Sequence, residues 1–302
     1  MKAMKAILAA ISTAALLAGC NNTSQNIKVD PDDHTINVDG IEVDLDKEEK
    51  DYKAKQIEQL YYVFDTTNKV SEFGISFENG SMEIEYSGDD KIGFSLDYTV
   101  YADTEEICQE VRSHVNAIAE TNDNRIEIRL IDDETKEDIT AWLQKNNLDC
   151  RIEYDYYITV PKFISSFDIK GNAGDLRLNE IKGQINGDVK VGNINCSDLE
   201  LTGPSKINCD VGSIIISSCT YKADTDISVK SGYISYCLPL SGSDGADINV
   251  GVDAGQIKVT GIKNYEVKDE KKKKDSHSLD IAVENCNVNF KVDSGEITIN
   301  KE

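Results

Sequence analysis

The chain has 302 residues, 39% of them hydrophobic, which is enough for a large core and for one or two domains. Its 55 acidic against 32 basic residues leave a formal net charge of −23, a surface that repels nucleic acid and anionic lipid headgroups. Eight cysteines without a CxxC pair and three scattered histidines (His34, His114, His277) argue against a disulfide-stapled design and against a zinc site.

In chain order, Lys2 and Lys5 precede an apolar stretch from Ile7 to Leu17, broken by Ser12 and Thr13. This stretch is shorter than the ~20 residues needed to span a bilayer, and it has the three-part form of a signal peptide. Leu17-Ala18-Gly19-Cys20 resembles the bacterial lipobox, with a leucine three residues before the cysteine and two small residues between. That resemblance implies removal of residues 1–19 and acylation of Cys20, a palmitate-bearing anchor to a membrane of the bacterial cell envelope. No second apolar run is long enough to span a membrane, so attachment rests on the acyl chains.

Residues 20–34 read as the lipidated cysteine and a flexible polar tether. Residues 35–68 form a short β and charged segment. Thr35 to Leu45 alternates on both sides of Asp39-Gly40, which predicts a hairpin. Asp46 to Lys55 is a solvated charge run with helical character, and Tyr61 to Phe64 begins the next strand. Asp30, Asp32, Asp33, Asp39, Asp44 and Asp46 are dense, but their spacing is not that of a calcium loop.

The informative part is an internal repeat. Gly-x-aliphatic occurs at Gly174, Gly192, Gly212, Gly232, Gly255 and Gly295, at intervals of 18, 20, 20, 23 and 40, with an earlier copy at Gly80. The last interval is read as two rungs with an insertion. Before Gly212 the alternate positions are Ile207, Cys209 and Val211; after it they are Ile214 and Ile216. Side chains alternate across a strand, so the inward set switches from odd to even positions at the glycine. Glycine takes a backbone corner that other residues resist. The pattern predicts a mainly β, β-solenoid or toastrack-like stack of ~20-residue two-strand rungs over residues 69–302. In this register Cys196 and Cys209 are core thiols, Ile214 points inward and Ser213 outward, and Tyr221 and Tyr233 face solvent.

A small α+β insertion covers 103–150. Asp103 to Glu106 resembles a capping box, followed by Ile107, Val111, Val115 and Ile118 on one helical face. Arg125 to Ile131 alternates as a strand. Thr135 to Asp138 opens a second, short helix with Ile139, Trp142 and Leu143 on one side, and Arg151 to Val160 is another strand. Cys108 and Cys150 are candidates for a pair across this insertion. The stretch 262–278, with Lys271 to Lys274, is read as an exposed loop between rungs.

Ile158-Thr159-Val160-Pro161-Lys162, then Phe167-Asp168-Ile169-Lys170, then the glycine ladder, resemble the bacterial putative adhesin domain. Ser231 to Leu240 is similar to that family's glycine-aliphatic segment ending in proline, with Tyr233 where the family often has Asp. The resemblance runs from about Lys69 to Glu302. It implies a stacked β architecture and a cell-surface setting, and it transfers no catalytic residues.

Catalysis on such a scaffold needs carboxylates or bases converging on one bond. Asp175, Asp188, Asp198, Asp210, Asp224, Asp226, Asp247 and Asp253 are spread over corners and outward positions, and histidine is absent from the rung segments outside the Lys-rich stretch. The expectation is a lipid-anchored, non-enzymatic envelope protein without cofactor or metal, binding a surface glycan or envelope protein. An envelope-stress sensing or scaffolding lipoprotein is the second reading. A β-helix carbohydrate-active enzyme is the third.

Overall fold

The computed structural model describes the backbone of residues 27–30, 35–38, 41–44, 52–238, 247–260, 266–272, 277–282 and 287–301, and the side chains of 52–236, 291, 292 and 295–298. The signal segment, Cys20 and the side chains of the Asp-rich N-terminal segment lie outside these residues, as do the side chains of Cys237 and Cys286.

Three short strands come first: β1 (Ile27–Asp30), β2 (Thr35–Val38) and β3 (Ile41–Asp44), in the antiparallel order β1-β2-β3. The hairpin around Asp39-Gly40 is formed, Val38 pairing with Ile41. The polar tether is shorter than the composition suggests. Ile27 and Val29 alternate with Lys28 and Asp30, and this pattern makes a third strand.

Among the described residues the rest is one large mixed sheet with two helices. Its members are β4 (Ala54–Asp65), β5 (Glu72–Tyr86), β6 (Lys91–Ala102), β7 (Val115–Asn122), β8 (Arg125–Asp132), β9 (Cys150–Val160), β10 (Ser166–Asn179), β11 (Lys182–Ser197) and β12 (Glu200–Leu201). They continue as β13 (Ser205–Ser217), β14 (Thr220–Tyr221), β15 (Thr225–Leu238), β16 (Asp247–Thr260), β17 (Glu266–Lys272), β18 (His277–Ala282) and β19 (Asn287–Lys301). The main path runs β17-β18-β16-β19-β15-β13-β11-β10-β5-β9-β6-β4.

The glycine ladder sets the register. Gly80, Gly174, Gly192, Gly212, Gly232, Gly295 and Gly255 pair in that order across seven parallel strands. Gly212 has φ +142°, and a Cβ on it would sit 1.7 Å from the Gly192 carbonyl oxygen; Gly174, Gly192 and Gly232 meet their neighbours in the same way. Each glycine thus lets the next backbone close in while it takes a left-handed bend. The parity switch follows: Ile207, Cys209 and Val211 are buried before the bend, and Ile214 and Ile216 after it. Each copy is therefore one long bent strand where two short ones were expected.

Inward residues stack as columns, such as Met82, Leu176, Ile194, Ile214, Ile234 and Ile297, all fully buried. Burial of each such side chain contributes roughly 1.5–3 kcal/mol. A second corner has no glycine: Glu180, Asp198 and Ser218 have φ near +55° and occupy equivalent places. The Glu180 amide donates to the Ser197 carbonyl and the Asp198 amide to the Ser217 carbonyl, which ties successive corners together. Beyond this corner Tyr221 is buried against Tyr236, not exposed as its position suggested, because β14 turns back over the core.

Cys196 and Cys209 are buried free thiols, as the register requires, and Cys219 joins them. Burial pushes the Cys209 and Cys219 thiols up to about 12. Cys108 and Cys150 are also free, so the suggested pair is not formed.

Two expectations change at the C-terminal end. β19 inserts between β15 and β16, so the last two copies stack in reverse of their chain order. The Lys-rich stretch is not one loop: Lys271 and Lys272 close β17, which pairs antiparallel with β18.

The insertion holds helices α1 (Glu105–His114) and α2 (Ile139–Lys145). The α1 cap is Thr104, one residue later than read, its hydroxyl accepting from the Ile107 amide. The helix ends at His114, and Val115 and Ile118 belong to β7, where Val115 pairs with Asp132. Asp138, not Thr135, caps α2. Thr135 instead donates through its amide and hydroxyl to Asp132, which also meets His114 Nδ1 at 2.5 Å; the His114 ring stacks on Trp142 at 4.2 Å. Likewise β4 starts at Ala54, within the charge run, and not at Tyr61.

Candidate binding face

The strand halves after the glycine bends, with β9, β6 and β4, make one outward face. Register aligns Gln59, Asp97, Asp155, Ser81, Asp175, Asn193, Ser213, Tyr233 and Glu296 in one row across it. The neighbouring row runs Tyr61, Ser95, Tyr157, Glu83, Arg177, Asn195, Ile215 and Ser235.

Hydrogen bonds hold the first row still. Gln59 donates to Asp97 at 2.7 Å, Ser81 to Asp155, Asn193 to Asp175 at 2.8 Å and Ser213 to Asn193 at 2.6 Å. Ser213 faces outward as its parity requires, yet it is only 1% exposed. Its small side chain lies in the ladder between Asn193 and the larger Tyr233.

All six exposed large apolar residues among those described lie on this face: Ile57, Tyr61, Val63, Tyr157, Ile215 and Tyr233. Tyr61 and Tyr157 are two strands apart through Ser95, about 10 Å at the usual strand spacing. Gly93, without a side chain, floors a groove of about 280 Å³ walled by Tyr61, Val63, Glu85 and Thr159 and closed by the Ser87–Lys91 turn. The Tyr157 hydroxyl donates to Glu85; that bond, then burial and the charges of Glu85 and Glu83, push the phenol up to about 12. Lys91 pairs with Asp65 at 2.9 Å at the end of the groove.

The face offers flat aromatic surfaces for stacking, surrounded by carboxylate, amide and hydroxyl groups for hydrogen bonding. Of the sequence candidates, Tyr233 and Asp175 lie on it. Asp188, Asp210 and Asp226 lie on the strand halves before the bends, Asp210 paired with Lys230 at 3.0 Å. The side chains of Asp247 and Asp253 are outside the described residues. Among the described residues no group of three His, Cys, Asp or Glu side chains is placed to hold a metal ion, and no helix is long and apolar enough to cross a membrane.

Sequence reasoning missed Ile57, Tyr61, Val63 and Tyr157. Tyr61-Tyr62-Val63-Phe64 and Tyr154-Asp155-Tyr156-Tyr157-Ile158 carry aromatics at both parities, so alternation alone did not say which set is buried.

The chain matches no known family profile and no curated protein. It is similar to solved structures. A putative cell adhesion protein from Clostridium sporogenes ATCC 15579 is 14% identical with a TM-score of 0.41, covering 82% of this chain and 100% of its own. A putative adhesin from Bacteroides fragilis NCTC 9343 is 14% identical with a TM-score of 0.33, over 82% of this chain and 98% of its own. One from Parabacteroides distasonis ATCC 8503 is 13% identical with a TM-score of 0.27, over 81% and 97%.

Proposed function

We propose that this chain is a lipid-anchored, non-enzymatic envelope protein that binds a surface glycan through the tyrosine-bearing face. The glycine-bent strands are then the rungs of a toastrack-like solenoid, whose work is to hold that face flat. The observation that carries the reading is the gathering on one side of all six exposed large apolar residues among those described. Tyrosine rings stack on the C–H faces of sugars, and the carboxylate and amide rows accept hydrogen bonds from their hydroxyls. The acidic balance of the face favours a neutral glycan over an acidic one. Cys20 is the anchor, leaving residues 21–302 outside the membrane.

The test is binding to a panel of neutral and acidic polysaccharides and wall fragments, with reducing ends and unsaturated products measured in parallel. Tyr61→Ala and Tyr157→Ala together should weaken binding to a neutral glycan by about tenfold or more, at least ~1.4 kcal/mol. Unchanged binding in that variant sinks the assignment of the face. Turnover abolished by a single Asp or Glu substitution would move the protein to the enzyme class, and no binding at all would favour sensing or scaffolding. Cys20→Ser should abolish labelling by a fatty-acid probe; labelling that survives removes the anchor.

A further inference from the structure

Among the described residues the main path of the large sheet ends in two edge strands, β17 at one end and β4 at the other. An edge strand presents unpaired N–H and C=O groups, and proteins blunt such edges with charge, proline or bulges. β17 does so: its sequence EVKDEKK has six charged residues of seven, and its pairing with β18 shifts register between Val267 and Asp269. β4 does not. Its twelve residues, AKQIEQLYYVFD, pair with β6 in unbroken register and contain neither proline nor glycine. Lys55 and Asp65 stand at its ends, and the one central charge, Glu58, is tied to Arg112. On its outward side Ile57 is 66% exposed and Tyr61 70%.

The sequence of β4 is also complementary to itself. Two copies laid antiparallel about a two-fold axis through Leu60 set Lys55 opposite Asp65, Ile57 opposite Val63 and Gln59 opposite Tyr61. Each pairing occurs twice, as a two-fold interface demands. Opposite charges and apolar side chains facing each other across antiparallel strands are stabilising. Moving the axis by one residue puts Lys55 against Val63 or Ile57 against Asp65, so Leu60 is the centre that matches the end charges.

We propose that β4 of one copy pairs with β4 of a second copy about Leu60, giving a two-fold dimer with one continuous sheet. The axis stands perpendicular to the sheet, so the outward faces of both copies point the same way and their tyrosine rows join. The dimer rests on the edge strand alone and is independent of the glycan reading.

The test is sedimentation of the full chain carrying Cys20→Ser, so that no acyl chain contributes. A dimer at micromolar concentration is expected. Ile57→Lys, at a largely exposed site that leaves folding intact, should weaken it by about tenfold or more. Lys55→Asp and Asp65→Lys should each weaken it similarly, since each sets like charges face to face. An equimolar mixture of those two variants should restore the dimer, because both end pairs are then complementary. A monomeric parent chain, a dimer indifferent to Ile57→Lys, or a mixture no stronger than either variant alone overturns the proposal. So does a monomer whose β4 amides are all protected from hydrogen exchange, which would assign the edge to another segment of the same chain.

Discussion

The glycine-bent strands and the helix-bearing segment share one hydrophobic core but specify it in different ways. Among the long strands β10, β11, β13 and β15 each repeats its neighbour, and residues 18 or 20 positions apart do the same work. From β6 to β9 nothing repeats. There the fixed points are single contacts: Arg112 with Gln56 and Glu58, the Tyr98 hydroxyl on the Arg112 carbonyl, and Asp132 held by Thr135 and His114. The repeating part is governed by how closely backbones approach, so one position per copy decides it. The other part is governed by individual side chains, whose removal is felt locally.

The sharpest way to break this contrast lies among the glycines themselves. Gly212→Ala places a Cβ 1.7 Å from the Gly192 carbonyl oxygen at φ +142°, and neither backbone is free to move away. The expected loss is more than about 4 kcal/mol, in the exceptional range for one substitution. Gly187 lies five residues from Gly192 on the same strand, in a column with Ile169 and Ile207, and an added Cβ there meets nothing nearer than 3.8 Å. Gly187→Ala should be neutral or stabilising by about 0.4–1 kcal/mol. Denaturant unfolding of the two variants checks this; similar losses at both would mean that the column of close approaches does not control the stack.

Inside one copy, Ile214→Asp buries an unpaired carboxylate among Ile194 and Ile234 and should cost about 3 kcal/mol or more. Ser213 carries the opposite parity, but its 1% exposure means that Ser213→Asp is not a harmless surface change. It removes the hydrogen bond to Asn193 and crowds the ladder, at a cost of about 1–2 kcal/mol. A greater loss at Ser213 than at Ile214 in thermal unfolding would reverse the assigned faces.

Much of the repeating part was legible in the sequence because a glycine at fixed spacing and a change of parity are both written in single letters. Residue order cannot say which strand lies beside which, so the reversal of β16 and β19 was hidden, since every copy offers the same glycine and the same apolar column. Tyr221 was misplaced because the two-residue strand that buries it is too short to show alternation. The Asp132 cluster was not legible, since its members His114, Asp132, Thr135 and Trp142 are brought together by turns whose geometry the sequence does not state. The candidate binding face was half legible: Tyr233 follows from the repeat, whereas Tyr61 and Tyr157 lie in strands apolar on both sides.

The two regions also separate by pH. The Asp132 side chain is fully buried, which pushes its carboxyl up, but the Thr135 hydroxyl and amide and the His114 ring outweigh this and hold it down to about 2. A carboxyl lowered from its ordinary value near 3.8 stabilises the fold above about pH 4, and that contribution is lost as pH falls toward 2. Asp132→Asn keeps the size and removes the charge, so it should cost about 1–2 kcal/mol at pH 6. The gap between parent and variant should close between pH 4 and pH 2, because the parent carboxyl is then protonated and the two side chains are alike in charge. Denaturant unfolding at pH 6, 4, 3 and 2 reads this directly. Gly187→Ala, in the repeating part, should keep the same offset from the parent at every pH, since it changes no titrating group. A gap for Asp132→Asn that stays constant from pH 4 down to pH 2 would show that the helix-bearing region does not depend on this charged contact.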